Sequence, residues 1–464
     1  MLENARALDE KLTEKFRDRY AKSKLLKAAT NVLYTNELSK AVMVMPQKGN
    51  TTHHFSIEID TMSVTNQKSS GRCWLFAALN LLREQVSKKH NIKEFELSQN
   101  YAAFWDKYEK ANWFLECVID LADREIDDRT LCNILSTGMQ DGGQWDMLVN
   151  LFEKYGVVPQ EAMPETANSS ATKSLNTIME ARLIRCAVAL RDAFEKNFTS
   201  VELLEIKEDA LSDIYSMLCA AFGVPPKTFD FEYKSEPEKG NECAKDSLIK
   251  EGEYHIHKNL TPIEFYRNYT DGNLSEYASF INSPTIDKPY YKTYTVDYIG
   301  NVVGGNPIFY LNLPMDELED LAIRELKEGN PVWFGSDVSY FGVRDSGIWD
   351  DGMFDYETLF DMEFELTKDQ GLDYRYSAMN HAMLLTGVTL DENDKPVKWK
   401  VENSWGDKSG EKGYYIMSES WFKKYVYQVV ARRGLLNDKQ KEALTKAPIH
   451  LAPWDPMGTL ASVN

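Results

Sequence analysis

Residues 64–82 read VTNQKSSGRCWLFAALNLL, and after Gly71 they are apolar nearly all round. This pattern predicts a buried helix that begins near Cys73. A thiol in the first turn of a helix lies near the positive end of the helix dipole, which favours the reactive thiolate. Taken alone, Cys73 could also be a small, buried structural residue.

The residues around Cys73 favour the catalytic interpretation. Gln67 stands six positions earlier, and Trp74 follows directly. A glutamine amide and the backbone N–H of the cysteine can together form an oxyanion hole. The order Gln, Gly-x-Cys-Trp resembles the papain superfamily around its nucleophile, although Ser70 and Arg72 depart from the usual local form.

A histidine and an asparagine complete the candidate site. His381 begins the apolar run HAMLLTGVTL, and Asn403 follows 22 residues later in VENSWG. A histidine at this place could simply be a satisfied core residue. An asparagine at its Nδ1 side would instead fix the tautomer and direct Nε2 towards the thiolate, with Trp405 shielding that bond. The order Cys, His, Asn is more specific than any one residue and favours catalysis.

The distribution of elements predicts an α+β fold with segregated halves. Helical patterns dominate the first part, and short strand-like runs follow residue 290: TYTVDYIG, NPVWFGSDV, HAMLLTGVTL, WKVENSWG and GYYIMS. Cys73 and His381 are 308 residues apart, against about 130–150 in simple papain-like enzymes. The excess predicts an inserted domain, for which the helical stretch 157–290 is the candidate.

Within that stretch, the pattern predicts two amphipathic helices over 174–222, the second capped by Ser200. Residues 223–260 are polar and are expected to form a connector. The sequence TPIE at 261–264 is typical of a helix start, with threonine as the cap and proline in the first position.

Composition narrows the classes of function. The formal net charge is −19, which repels a phosphate backbone and makes nucleic-acid binding unexpected. The start of the chain contains no apolar signal-peptide core, and no run of about 18 apolar residues predicts a membrane span. The six cysteines show no CxxC pair or metal-ligand spacing. Reduced thiols, a cytoplasmic location and the absence of a metal are therefore predicted.

Five motifs together resemble the bleomycin hydrolase and aminopeptidase C family: VTNQKSSGRCWLFA, DGGQWDM, NHAM, VENSWG and APWDPMG. The resemblance implies a papain-like cysteine peptidase core with an inserted helical domain and no cofactor. It also implies a homohexameric barrel and the removal of N-terminal residues from peptide substrates with broad side-chain tolerance. The family's catalytic roles carry over to Gln67, Cys73, His381 and Asn403.

The predicted organisation has five parts. These are an N-terminal segment packing on or bridging subunits (1–60), the helical half of the core (61–156), the inserted domain (157–290), the β-rich half (291–450) and a C-terminal arm in the cleft (451–464).

The resemblance also assigns a role to the arm. The family's C-terminal carboxylate holds the amine of the substrate inside the cleft, and Ala461 is expected to border that site. Gly142 and Gly143 resemble the backbone that lines the cleft, although they could form a plain turn before a helix. This chain continues to SVN, so we expect trimming near residues 462–464. If the arm does not block the cleft, an oligopeptidase or endopeptidase is the alternative; a nucleic-acid-binding protein that keeps the fold is a more distant one.

Overall fold

The structure is a computed structural model that describes residues 5–44, 51–236 and 252–461. Within these ranges the α-helices are α1 (Glu10–Lys22), α2 (Lys24–Leu33), α3 (Leu38–Ala41), α4 (Cys73–His90), α5 (Gln99–Asp120), α6 (Arg129–Thr137), α7 (Trp145–Tyr155), α8 (Lys173–Glu195), α9 (Ser200–Phe222), α10 (Pro262–Tyr269), α11 (Met315–Lys327), α12 (Tyr356–Phe360), α13 (Lys368–Asp373), α14 (Glu419–Tyr425) and α15 (Asp438–Leu444). The β-strands are β1 (Ile57–Glu58), β2 (Phe229–Lys234), β3 (Tyr254–Leu260), β4 (Tyr277–Ile281), β5 (Thr293–Val296), β6 (Tyr310–Asn312), β7 (Val332–Ser336), β8 (Gly342–Val343), β9 (Ile348–Trp349), β10 (His381–Leu390), β11 (Pro396–Glu402), β12 (Tyr414–Ser418), β13 (Val426–Arg432) and β14 (Ile449–Leu451). The predicted α+β layout is confirmed.

One mixed sheet forms the β-rich half. Its strand order in the described chain is β14-β5-β6-β4-β13-β7-β10-β11-β12-β9-β8, and β1 pairs with β10. Strand β10 lies near the middle, antiparallel to β7 and to β11. Its first eight residues are buried, as expected for a strand that is covered on both faces. This position places His381 at the end of a central strand, opposite Ser336 on β7.

Helix α4 carries Cys73 at its first position and packs against β10 and β7. Its first ten residues are all buried, as the apolar sequence predicts. The Trp333 indole on β7 donates a hydrogen bond to the carbonyl of Trp74 at 3.2 Å. The start of the helix and the start of β10 therefore meet, which brings the cysteine to the histidine.

The start of α4 lacks a side-chain cap, and Arg72 occupies the capping position. A cation there opposes the helix dipole. The Arg72 guanidinium is instead buried and paired with both carboxylate oxygens of Glu165, each at 2.9 Å. This bidentate pair offsets the unfavourable charge and ties the nucleophile loop to the segment that leads into the insertion.

The insertion differs in two respects from the expectation for 157–290. Helices α8 and α9 pack on α5 as a helical unit, but β2 and β3 form an antiparallel hairpin inside the expected connector 223–260. The sequence FDFEYK alternates in period two, with Phe229 and Phe231 buried. The boundary at 290 also needs correction, because β4 pairs with β6 and β13 in the main sheet.

The predicted helix caps are accurate to within one residue. Helix α9 begins at Ser200, but its cap is Thr199, whose hydroxyl accepts from the backbone N–H of Glu202. The cap moves by one position because the glutamate of a capping box stands three residues after the cap. Thr261 caps α10 as predicted.

The N-terminal helices are loosely attached to the rest of the chain. Helix α1 buries no residue, and α2 buries only Ala29. Helix α2 contacts α12. No helix in the described ranges has the length and apolarity needed to cross a bilayer.

Candidate active site

The Cys73 side chain is fully buried at the N-terminus of α4. Its thiol lies against the backbone N–H of Ala382, the residue after His381. Burial raises the pKa of the thiol to about 12, while this N–H and those of the helix start act in the opposite direction. The sequence therefore places the sulfur beside β10, where a base is available.

His381 and Asn403 form the predicted hydrogen bond. Nε2 of His381 lies 2.9 Å from Oδ1 of Asn403. The same oxygen accepts the backbone N–H of Ser404 at 2.8 Å, which fixes the orientation of the amide. Nε2 is therefore the protonated nitrogen, and Nδ1 has no partner within the described chain. The expected roles of the two nitrogens are thus exchanged: Nδ1, not Nε2, is available to the thiol.

Trp405 shields this pair as predicted. Its ring stacks on the His381 imidazole with centroids 4.9 Å apart and planes 25° apart. Both His381 and Asn403 are almost fully buried. Burial lowers the pKa of His381 to about 4, and the hydrogen bond to Asn403 opposes this shift. The imidazole is thus held in one orientation in a dry environment.

Burial opposes a lone charge on either Cys73 or His381. The two pKa shifts reflect the cost of burying a single charge on either group. Transfer of the thiol proton to the imidazole creates both charges together, and they attract each other strongly in an interior of low dielectric constant. The positive end of the α4 dipole adds to the stability of the thiolate. This is the chemistry of a nucleophilic cysteine with an adjacent base.

Gln67 lies fully buried beside the nucleophile loop. Its Nε2 donates to the Ser70 carbonyl at 2.6 Å, and its Oε1 accepts the Ser404 hydroxyl at 2.6 Å. Its backbone N–H also donates to the Ser404 carbonyl at 2.8 Å. With the amide oxygen engaged by Ser404, the amide nitrogen faces the loop that leads to Cys73, as an oxyanion donor requires.

Gly143 and Ala461 form an isolated antiparallel bridge. The Gly143 N–H donates to the Ala461 carbonyl at 3.4 Å, and the Ala461 N–H donates to the Gly143 carbonyl at 3.3 Å. A Cβ atom on Gly143 would lie 2.5 Å from the Trp74 ring, so only glycine fits this close to the indole that follows Cys73. The two glycines precede α7, as the predicted turn requires, and the lining of a substrate cleft by them stays a prediction.

Gly142 acts differently from its neighbour. Its carbonyl accepts a hydrogen bond from the Lys110 ammonium at 2.6 Å, and Lys110 is paired with Asp106 at 2.6 Å. The described partners of Gly142 therefore belong to α5, not to the arm. A cavity of about 630 Å³ lies beside the arm residues 453–460 and extends to Asn380.

A model of the Peptidase C1-like family matches residues 7–458. The chain belongs to the Peptidase C1-like family. The family and the papain-like fold predicted from the five motifs are thereby confirmed.

Known members of the family match along nearly their whole length. Aminopeptidase C of Lactobacillus delbrueckii subsp. lactis is 45% identical over 451 residues, which cover 97% of each chain. Aminopeptidase C of Streptococcus thermophilus is 43% identical over 456 residues, 98% of this chain and 99% of that one. The crystal structure of PepW from Lactobacillus rhamnosis HN001 has a TM-score of 0.93 at 43% identity and covers 98% of this chain and 99% of that chain.

Two features of this Peptidase C1-like site were not predicted. Ser404 orients Gln67, and its only sequence signal is its place directly after Asn403. Asp141 accepts the Gly71 N–H at 2.9 Å, and its carbonyl accepts the Trp74 indole N–H at 2.7 Å. The buried Asp141 therefore fixes both sides of the nucleophile, and its sequence signal is its place as the first residue of the motif DGGQWDM.

Charge balance keeps Asp141 ionised. Burial acts to raise its pKa, but the Lys107 ammonium at 2.5 Å and hydrogen bonds from Thr172 and Asn176 outweigh that effect and hold the pKa below its usual range. The last two residues lie at the start of the insertion. The inserted domain thus contributes directly to the support of the nucleophile loop.

Proposed function

We propose that this chain is a papain-like cysteine aminopeptidase that releases N-terminal residues from peptides through an acyl-enzyme at Cys73. The bridge between Gly143 and Ala461 carries this proposal. It occupies the backbone-pairing position at one end of the cleft, so a substrate must begin at the arm. Backbone pairing is indifferent to side chains, which supports a broad tolerance for substrate residues.

In the proposed reaction, the Cys73 thiolate attacks the carbonyl carbon of the first peptide bond. The oxyanion accepts hydrogen bonds from the Cys73 backbone N–H and the Gln67 amide. The proton on Nδ1 of His381 passes to the leaving amine, and the peptide departs. Nδ1 then takes a proton from water, which hydrolyses the thioester and frees the amino acid. Asn403 holds the imidazole during both steps.

The test compares one peptide of about ten residues with its N-acetylated form. We expect the free peptide to lose residues one at a time from its N-terminus, as followed by mass spectrometry. We expect the acetylated peptide to persist, because its amine is neutral and its acetyl group meets the arm. Cleavage of both peptides at internal bonds would contradict the proposal and favour an endopeptidase.

We also propose a homohexamer in which the N-terminal segment 1–60 contacts neighbouring subunits. Support comes from the apolar residues that α1, α2 and their flanks expose, among them Leu8 (79% exposed), Phe16 (52%) and Tyr34 (89%). Such residues are costly to leave in water and are typical of a surface that another chain covers. Light scattering should give six times the 53.3 kDa chain mass. A monomer at all concentrations would contradict this assembly.

A cytoplasmic location is the last part of the proposal. The five described cysteines are free thiols: Cys73, Cys117, Cys132, Cys186 and Cys219. Free thiols are typical of a reducing compartment, and a catalytic thiol requires one to remain active. Fractionation of the producing cells should recover the activity with cytoplasmic markers, and recovery outside the cell would contradict the location.

A further inference from the structure

Arg344 lies over the tryptophan that covers the catalytic histidine. Its guanidinium carbon is 4.5 Å from the centroid of the Trp405 ring. The His381 imidazole stacks on the same indole, with centroids 4.9 Å apart. Arg344 directly follows β8 and is exposed to solvent. The cation is thus held by cation–π contact at the rim of the active site.

Among the described residues, the guanidinium of Arg344 has no acidic partner. In the described part of the chain it makes no ion pair and no side-chain hydrogen bond, although the chain carries 72 acidic residues against 53 basic ones. An exposed arginine without a partner is common in itself. This one differs because an aromatic platform next to His381 fixes it, while its planar array of N–H donors stays open to a ligand anion.

Arg344 lies on the side of His381 along which the leaving peptide is expected to extend. The arm and the cavity beside it mark the end of the cleft that receives the N-terminal residue, and neither Arg344 nor Trp405 lines that cavity. The leaving amine must lie at His381, which protonates it, so the rest of the leaving peptide extends past the imidazole. The guanidinium lies within about 9 Å of that ring. An extended chain advances about 3.3 Å per residue, which brings a carboxylate one or two residues beyond the cleaved bond within reach.

We propose that Arg344 is a specificity-determining residue that binds the terminal carboxylate of a short leaving group, so that the enzyme favours dipeptides and tripeptides. This inference rests on the proposed aminopeptidase function. A guanidinium binds a carboxylate through two parallel hydrogen bonds. An acidic side chain in the same position of a longer peptide offers the same chemistry, and the experiment separates the two sources.

The experiment measures release of leucine from Leu-Gly, from Leu-Gly amide and from Leu-Glu amide. For the wild type we expect kcat/KM to be about three- to fivefold higher for Leu-Gly than for Leu-Gly amide, a modest gain because the pair stays exposed to water and salt. Arg344→Ala should remove that preference through KM and leave Leu-Gly amide unchanged. Arg344→Lys should keep part of it, since a point charge cannot form the bidentate pair. Arg185→Ala, at an exposed arginine on α8, is the control and should change nothing.

Each outcome has a distinct meaning. An equal loss on Leu-Gly and Leu-Gly amide would overturn the inference, because Arg344 would then support Trp405 or His381 and not the substrate. Because the charge of Arg344 also lowers the pKa of His381, the substrates are compared at the pH optimum of each variant. A loss confined to Leu-Glu amide would overturn the terminal carboxylate as the ligand. If the wild type released no leucine from any substrate, the aminopeptidase proposal itself would fail.

Discussion

The two ends of the active-site cleft are built differently. At one end the chain's own arm pairs with the cleft, and Ala461 exchanges two backbone hydrogen bonds with Gly143. At the other end the Trp405 indole covers His381 and carries the exposed guanidinium of Arg344. The first end is filled by the molecule itself, whereas the second presents side chains to a leaving peptide. In the proposed function, the arm sets which bond is cut, and Cys73 with His381 carries out the cleavage.

The closed end also has the more rigid support. Lys110 and Asp106 form a buried ion pair behind Gly142, and Lys107 and Asp141 form another behind the nucleophile loop. Buried pairs of this kind are costly to break, because either partner alone would be an uncompensated charge. The open end depends on stacking of the half-buried Trp405 ring on the buried His381 imidazole. We therefore expect substitutions to affect the two ends unequally.

The largest effect should come from Cys73→Ser, which removes the chemistry that the two ends share. We expect a loss of several powers of ten in kcat on every substrate, because the nucleophile acts in the rate-determining chemistry. Cys132→Ser is the control, since that cysteine is exposed and lies outside the cleft. A Cys73→Ser enzyme with more than about 1% of the wild-type rate would show that the nucleophile is misassigned.

Gln67→Ala should lower kcat by about 10²–10³, the usual effect of one oxyanion donor. Ser404→Ala should lower it less, by about tenfold, because Ser404 only orients the Gln67 amide through a single hydrogen bond. Steady-state kinetics on a free amino-acyl nitroanilide would measure both. Equal losses of kcat in the two variants would mean that Ser404 contacts the reacting atoms directly. The indirect role assigned to Ser404 would then be wrong.

Gly143→Ala should affect the closed end selectively. The new methyl group would lie 2.5 Å from the Trp74 ring, so the segment must shift at a cost of about 1–3 kcal/mol. We expect kcat/KM to fall about tenfold and the release of single N-terminal residues to become less regular. Gly434→Ala is the matched control, because no atom lies within 4 Å of its added carbon. Wild-type kinetics in Gly143→Ala would show that the pairing with Ala461 is unimportant.

The smallest expected effect is on the pH dependence of the unfolding free energy. Burial lowers the pKa of His381 from 6.5 to about 4, so the folded state favours the neutral imidazole. This shift in pKa contributes fully to the unfolding free energy above pH 6.5, and the contribution is lost as the pH falls from there through about 4. The unfolding free energy of the wild type should therefore fall by up to about 3 kcal/mol more than that of His381→Gln over this range. Parallel pH dependences would mean that His381 is solvated in the folded protein.

The sequence alone predicts much of this site because each local signal is strong. The run after Gly71 identifies the buried helix of Cys73, and HAMLLTGVTL matches β10 from His381 to Leu390. The period-two alternation in FDFEYK is the sequence signal for the hairpin inside the segment predicted to be a connector. The choice of Nδ1 over Nε2 could not be predicted, since it depends on how Asn403 is held by the next backbone N–H.

Contacts between residues that are far apart in the sequence could not be predicted either. Asp141, Lys107 and Lys110 are ordinary charged residues in the sequence, and only the packing of α5 against the cleft joins them. The role proposed for Arg344 likewise depends on its contact with Trp405, which the sequence does not reveal. The predicted trimming near residues 462–464 lies outside the described residues and stays a prediction.

In the proposed function, the C-terminal arm closes one end of the cleft and thereby restricts cleavage to the N-terminal end of a peptide. The most direct measurement is mass spectrometry of an N-acetylated decapeptide after incubation with the wild type, with a chain truncated before Gly458, and with Ala461→Pro. The proline removes the N–H that donates to Gly143 and keeps the rest of the arm. We predict that both variants cleave internal bonds of the blocked peptide and that the wild type does not. If the variants, folded and active on free peptides, leave the blocked peptide intact, the arm does not determine where the enzyme cuts.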